Sequence, residues 1–177
     1  MTPLCTSGYQ GQDAATWSAR LLAHGIEVVV DVRNLPLSRK KGLSESQLRA
    51  LLSERGIKYL HVKELGNPKV YRDALRDGLD FEEFARIFRG HLETKTATLE
   101  ELSDLAMSHR VRILCYEENP KACHRSLVAE SVARRRPDAI EVVHLQHGQR
   151  ERPNPDHGQD LPEPQRQVRR DRMHGGY

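Results

Sequence analysis

Apolar positions in the first 145 residues switch between two periods, one of strands and one of helices. Thr2–Ser7 predicts a short first strand. Over Asp13–Ala23, Trp17, Leu21 and Leu22 recur at helical spacing and Gly25 supplies a stop, which predicts a helix. Ile26–Arg33 is a β-branched run, the mark of a strand covered on both faces. Ser44 and Gln47 have capping-box spacing at the start of a helix whose buried stripe is Leu48, Leu51 and Leu52 and whose end is Gly56. A third strand is expected at Ile57–Val62, followed by the turn-rich segment Glu64–Pro68. Asp80 with Glu83 opens a helix in which Phe81, Phe84 and Phe88 form one core-facing stripe. A helix about Thr98–His109, a strand Val111–Tyr116, a helix Cys123–Arg136 and a strand Ile140–Leu145 complete the pattern. Such alternation with short links predicts an α/β, Rossmann-like three-layer fold, with a mostly parallel sheet of about five strands between helices.

The pattern stops at residue 146. From Gln146 to Tyr177 the chain holds four prolines, four glycines, and Leu161, Val168, Met173 and Tyr177 as its apolar residues. That stretch buries too little apolar surface to offset the entropy of ordering, so residues 1–145 are expected as the domain and 146–177 as a disordered tail. Its six arginines and five acidic residues nearly cancel, which argues against a nucleic-acid arm. The whole chain carries 28 Lys and Arg against 25 Asp and Glu, a formal charge of +3 that is too mild to mark a nucleic-acid partner by itself. No apolar run approaches the ~20 residues that span a bilayer, so no membrane partner is expected. The N-terminus lacks the pattern of a secretory leader. The three cysteines, Cys5, Cys115 and Cys123, are too few for a disulfide scaffold, and a reducing cytoplasm is the expected location. No feature marks an oligomeric state.

Ligands of open parallel sheets bind at the carboxyl ends of the strands. Those ends carry Ser7-Gly8-Tyr9, Asp31-Val32-Arg33 and Cys115-Tyr116-Glu117, a concentration of polar and reactive groups that a core would not need. Pro120 disfavours a helical Asn119, so Cys123, His124, Arg125 and Ser126 fall at a helix start, where free N–H groups and the helix dipole favour anions. A thiolate there is stabilised and its reactivity raised.

DVRNLPLSRKKGLS, GIKYLHVKELG and CYEENPKACHRSLVAE, in this order and spacing, resemble the DUF488 family over about residues 5–136. The resemblance implies a small α/β domain of unassigned biochemical role with these segments as its active site. It carries over Asp31, Arg33, Pro36, Ser38, Arg39, Leu65, Gly66, Cys115, Tyr116, Glu117, Cys123, His124 and Arg125. At the start, Cys5-Thr6-Ser7-Gly8-Tyr9 departs from the family's Thr-Ile-Gly-Tyr, and Gly8 and Tyr9 alone match.

The leading reading is an enzyme-like domain, a Cys-dependent transferase or hydrolase, that binds an anionic small molecule or nucleotide. Arg33, Arg39 and Arg125 would bind the anion with Ser38, Gly8 would admit a close approach, and Tyr9 would stack on a ring. His124, Glu117 and Asp31 are the candidates for proton transfer, and Cys115 or Cys123 for the nucleophile. Nucleic acid is an extension of this reading, with Arg39-Lys40-Lys41 as backbone contacts. Rhodaneses and cysteine phosphatases also run from a strand-ending cysteine to an arginine at a helix start, but their loops are usually about five residues long, against nine between Cys115 and Arg125. No cofactor and no metal are expected. Zinc is the alternative, through Cys115, Cys123 and His124 with Cys5 or His61 nearby, against which stand the lack of a C-x2-C pair and the expectation that adjacent Cys123 and His124 diverge from a helix start. A non-catalytic anion-sensing or partner-binding module is the third reading; it needs the arginines and neither cysteine.

Overall fold

The computed structural model describes residues 1–146. Five strands form one sheet: β1 (Thr2–Gly8), β2 (Val28–Asp31), β3 (Lys58–His61), β4 (Val111–Cys115) and β5 (Ile140–His144). Their order is β3-β2-β4-β1-β5 and every pairing is parallel. Among the described residues six α-helices accompany them: α1 (Ala14–Ala23), α2 (Glu45–Ser53), α3 (Lys69–Arg76), α4 (Phe81–Glu93), α5 (Thr96–Ser108) and α6 (His124–Ala133). The α/β three-layer arrangement expected from the alternation is the one found. Among the described residues no helix is long and apolar enough to cross a membrane. The expected tail, apart from Gln146, lies outside the described residues.

The three central strands are buried on both faces, which is why β2 reads as a β-branched run rather than as an alternating pattern. One face packs Val28, Val30 and Ile113 against Phe84, Phe88, Leu99 and Val128 from α4, α5 and α6. The other packs Val29 and Leu114 against Trp17, Leu21, Leu48 and Leu52 from α1 and α2. On α4, the Phe84 and Phe88 rings stack at 5.4 Å, and Phe88 meets the His124 ring edge-on at 5.6 Å. The phenylalanine stripe is core, and its last member buttresses a residue of the site.

Two local expectations are corrected. Ser44 does cap α2 by position, but the capping box does not form. The Ser44 hydroxyl accepts from the Ser38 amide and donates to the Ser38 carbonyl, while Gln47 accepts from the Gly42 amide. These bonds fasten the Pro36–Leu43 loop to the start of α2. The second correction is α3, a helix absent from the sequence reading. None of its residues is fully buried, but Tyr71 and Leu75, one turn apart, are partly buried and pack against the core. It starts directly after Pro68 and gains support from Asp73, which pairs with Lys69 one turn before it and with Arg76 after it.

Candidate functional site

Parallel pairing sends the carboxyl ends of all five strands to one edge of the sheet. Gly8 pairs with Cys115, and Asp31 lies opposite both Leu114 and His61. Cys115 thus ends the central strand, with β2 on one side and β1 on the other. Beneath it the backbones are in tight contact. A Cβ on Gly8 would lie 1.8 Å from the Glu117 carbonyl oxygen, so glycine there lets β1 pass under the Cys115–Glu117 segment.

A cavity of about 600 Å³ opens above this edge. Cys115, Glu117 and His124 line it together with Tyr9, Arg33, Ser38, Asn67 and Tyr116, and Leu35, Leu37 and Leu75 add apolar surface. Arg39 and Lys40, from the loop before α2, and Arg72, from α3, add three cations to the lining.

Cys115, Glu117, Cys123 and His124 converge, with one ligand atom of each inside a span of 4.8 Å. The Cys115 Sγ lies 3.2 Å from Glu117 Oε2 and 3.7 Å from His124 Nδ1. The Cys123 Sγ lies 3.1 Å from the same Glu117 oxygen. The expected divergence of Cys123 and His124 is therefore corrected. Cys123 is the residue before α6 and has extended backbone angles of −135° and 135°, so its side chain leaves the chain in a different direction from that of a helical residue. His124 Nε2 is 2.9 Å from the Val32 carbonyl oxygen, which requires a proton on that nitrogen and directs Nδ1 at the sulfur.

The electrostatics follow from this convergence. Burial opposes the Glu117 carboxylate, but hydrogen bonds from Cys123 and Cys115 and the nearby His124 outweigh it and hold the group below the usual carboxylate range. Burial pushes the Cys123 thiol well up, and contact with Cys115 adds to the effect. For His124, burial disfavours the charged ring, yet the Cys123 sulfur, the Val32 carbonyl and Glu117 raise its affinity for a proton above the ordinary value.

The remaining expected site residues are placed differently. Asp31 is fully buried and accepts from Arg33 Nε and Nη2, from the Arg33 amide and from the Tyr59 hydroxyl, the last at 2.7 Å. Arg33 lines the cavity, but its other donors go to Tyr9 Oη and the Leu43 carbonyl, both at 2.9 Å. Tyr9 is itself buried, with its ring against the Arg33 guanidinium and the edge of Tyr116. Arg125 has no exposed surface and donates to the carbonyls of Glu117 and Glu118, so its guanidinium holds the loop that carries Glu117. Ser38 and Arg39 do line the cavity. Cys5 and His61 lie outside the four-residue group. Asn67, Arg72 and Leu75 were not singled out for the site, and Lys40 was expected there only as a nucleic-acid backbone contact. Arg72 and Leu75 sit on α3, the helix absent from the sequence reading, and the Asn67 side-chain oxygen is buried without a hydrogen-bond partner beside the cavity.

The fold and the site define a parallel-sheet α/β protein with a thiol–imidazole–carboxylate group at the end of its central strand. The model of the domain of unknown function DUF488 matches residues 14–132, most of the chain, and the match includes every member of that group. The chain belongs to the DUF488 family. No curated protein and no solved structure matched it.

Proposed function

We propose that the chain is a thiol-dependent enzyme, a transferase or hydrolase, acting on a phosphorylated or nucleotide-like anion bound in the cavity. One observation carries the reading: Cys115 sits 3.7 Å from an oriented His124 in a cavity whose lining includes Arg39, Lys40 and Arg72. Such a thiol with an aligned base, itself held by a third group, has the arrangement of an activated nucleophile. The Cys115 Sγ–H turns from Glu117 to give its proton to His124 Nδ1, and the sulfur attacks the electrophilic phosphorus or carbon of the substrate. A bond from sulfur to that atom forms as the bond to the leaving group breaks. The leaving group keeps the electron pair and takes the proton from His124. Water or a second substrate then gives a proton to the same nitrogen and displaces the sulfur.

The three cations meet the anionic part of the ligand, as lysine and arginine do for phosphate generally. Tyr116, nearly half exposed, offers its ring to a planar portion, and the Asn67 oxygen offers an acceptor for an N–H or O–H of the ligand. Nucleic acid remains within this reading as a larger anion entering from the same side.

A thermal-shift screen against nucleotides, phosphosugars and short oligonucleotides tests the proposal. One class is expected to raise Tm by several degrees, in Cys115→Ser as well as in the unaltered protein. The gain should disappear in the Arg39→Ala/Arg72→Ala double variant. No shift with any class, or a shift indifferent to the double variant, overturns it.

A further inference from the structure

The four converging side chains have a second property, set by their donor atoms and not by nucleophilicity. Two sulfurs, an imidazole nitrogen and a carboxylate oxygen form a donor set for a borderline-soft divalent cation. Zinc takes four such donors in a tetrahedron, with bonds of about 2.3 Å to sulfur and about 2.0–2.2 Å to nitrogen and oxygen. Those bond lengths place neighbouring donors roughly 3.3–3.8 Å apart. Three of the spacings found are 3.1, 3.2 and 3.7 Å, and no two donor atoms are more than 4.8 Å apart. The 4.8 Å limit exceeds the longest tetrahedral spacing by about 1 Å, or about half an ångström for each of two donors.

The surroundings fit as well. Ligating imidazoles usually donate their other N–H to a carbonyl or carboxylate, and His124 already does so to Val32. Cys115 and Cys123 are 3% and 1% exposed, so a cation there is shielded from competing water on the sulfur side. Paired thiols select against magnesium and calcium, which prefer all-oxygen shells. Arg125 holds the Glu117 and Glu118 carbonyls and so fixes the segment from which the carboxylate projects.

We propose that Cys115, Glu117, Cys123 and His124 bind one zinc ion, and that its presence withdraws Cys115 from nucleophilic chemistry. The two thiols lose their protons on binding, and the Cys115 lone pair that would attack a substrate is donated to the metal. Metal and covalent substrate therefore compete for one sulfur. The exclusion rests on the thiol reading above; the metal site itself does not.

The test uses the full chain without a polyhistidine tag, stripped with chelator and titrated with zinc against a chromophoric competitor, and with cobalt as a spectroscopic probe. One equivalent per chain is expected, with a thiolate-to-cobalt charge-transfer band and the intense visible bands of a tetrahedral centre. Cys123→Ser and Glu117→Gln should each weaken binding beyond the roughly 100-fold that loss of an outer-shell partner can cost. Cys5→Ser, a buried thiol outside the group, should bind as the unaltered chain does. Zinc should also slow iodoacetamide modification of Cys115 and chelator should restore it. Substoichiometric or weak binding, an octahedral cobalt spectrum, or full affinity in both ligand variants overturns the site. Stoichiometric binding with a Cys115 that is inert even after chelation keeps the site and removes the thiol reading instead.

Discussion

Asp31→Ala is expected to lower the stability of the fold by about 3–5 kcal/mol, the usual cost of removing one member of a buried ion pair. Arg33 keeps its charge at any accessible pH, because Asp31 and Tyr9 raise its pKa against the opposing effect of burial. Its side chain is 6% exposed, and Asp31 supplies both carboxylate oxygens to it at hydrogen-bond distance. Without Asp31 the guanidinium stays buried and unpaired, and the Tyr59 hydroxyl loses its acceptor. The loss would be read as a fall in the urea midpoint with the slope unchanged. Asp31 was expected among the proton-transfer groups. A variant of normal stability that fails in turnover would return it to that role.

The second large effect concerns reactivity. His124→Gln is expected to slow alkylation of Cys115 near neutral pH by roughly 100-fold or more, the range typical of a lost, positioned base. Val32 holds the ring through Nε2 and Phe88 packs against its edge, so the imidazole points at sulfur without rearrangement. Mass-resolved labelling of the chelated protein separates Cys115 from Cys123, whose thiol burial pushes up and whose reaction should be slow in both proteins. Equal Cys115 rates in the two proteins would show that His124 does not act on the sulfur.

How far the sequence disclosed this molecule depends on which physical signal each part leaves. Strands buried on both faces leave continuous apolar runs, so β2 and β4 were found to within a few residues, and their ends pointed to the candidate site. Cys115 and Glu117 stood out as candidates because a reactive side chain at the end of a core strand has no packing purpose, and His124 because it falls at a helix start after Pro120. Helix α3 leaves a fainter trace, since its short apolar side, with Tyr71 and Leu75, is only partly buried and ion pairs around Asp73 supplement it. Arg72 was invisible for the same reason. The arginines mark another limit. A guanidinium suits a phosphate and a pair of backbone carbonyls equally well, and only the fold reveals that Arg125 faces Glu117 and Glu118. The meeting of Cys123 with His124 depends on one pair of backbone angles that residue types alone do not determine.

The proposed function requires a reactive Cys115 sulfur in a cavity that attracts anions. Its most direct test is the ratio of the iodoacetate to the iodoacetamide rate constant at Cys115, measured on chelated protein beside glutathione. A ratio well above that of glutathione, falling in Arg39→Ala/Arg72→Ala and with added salt, is the predicted result. A ratio no greater than that of glutathione, or one unmoved by salt and by loss of the arginines, would contradict it.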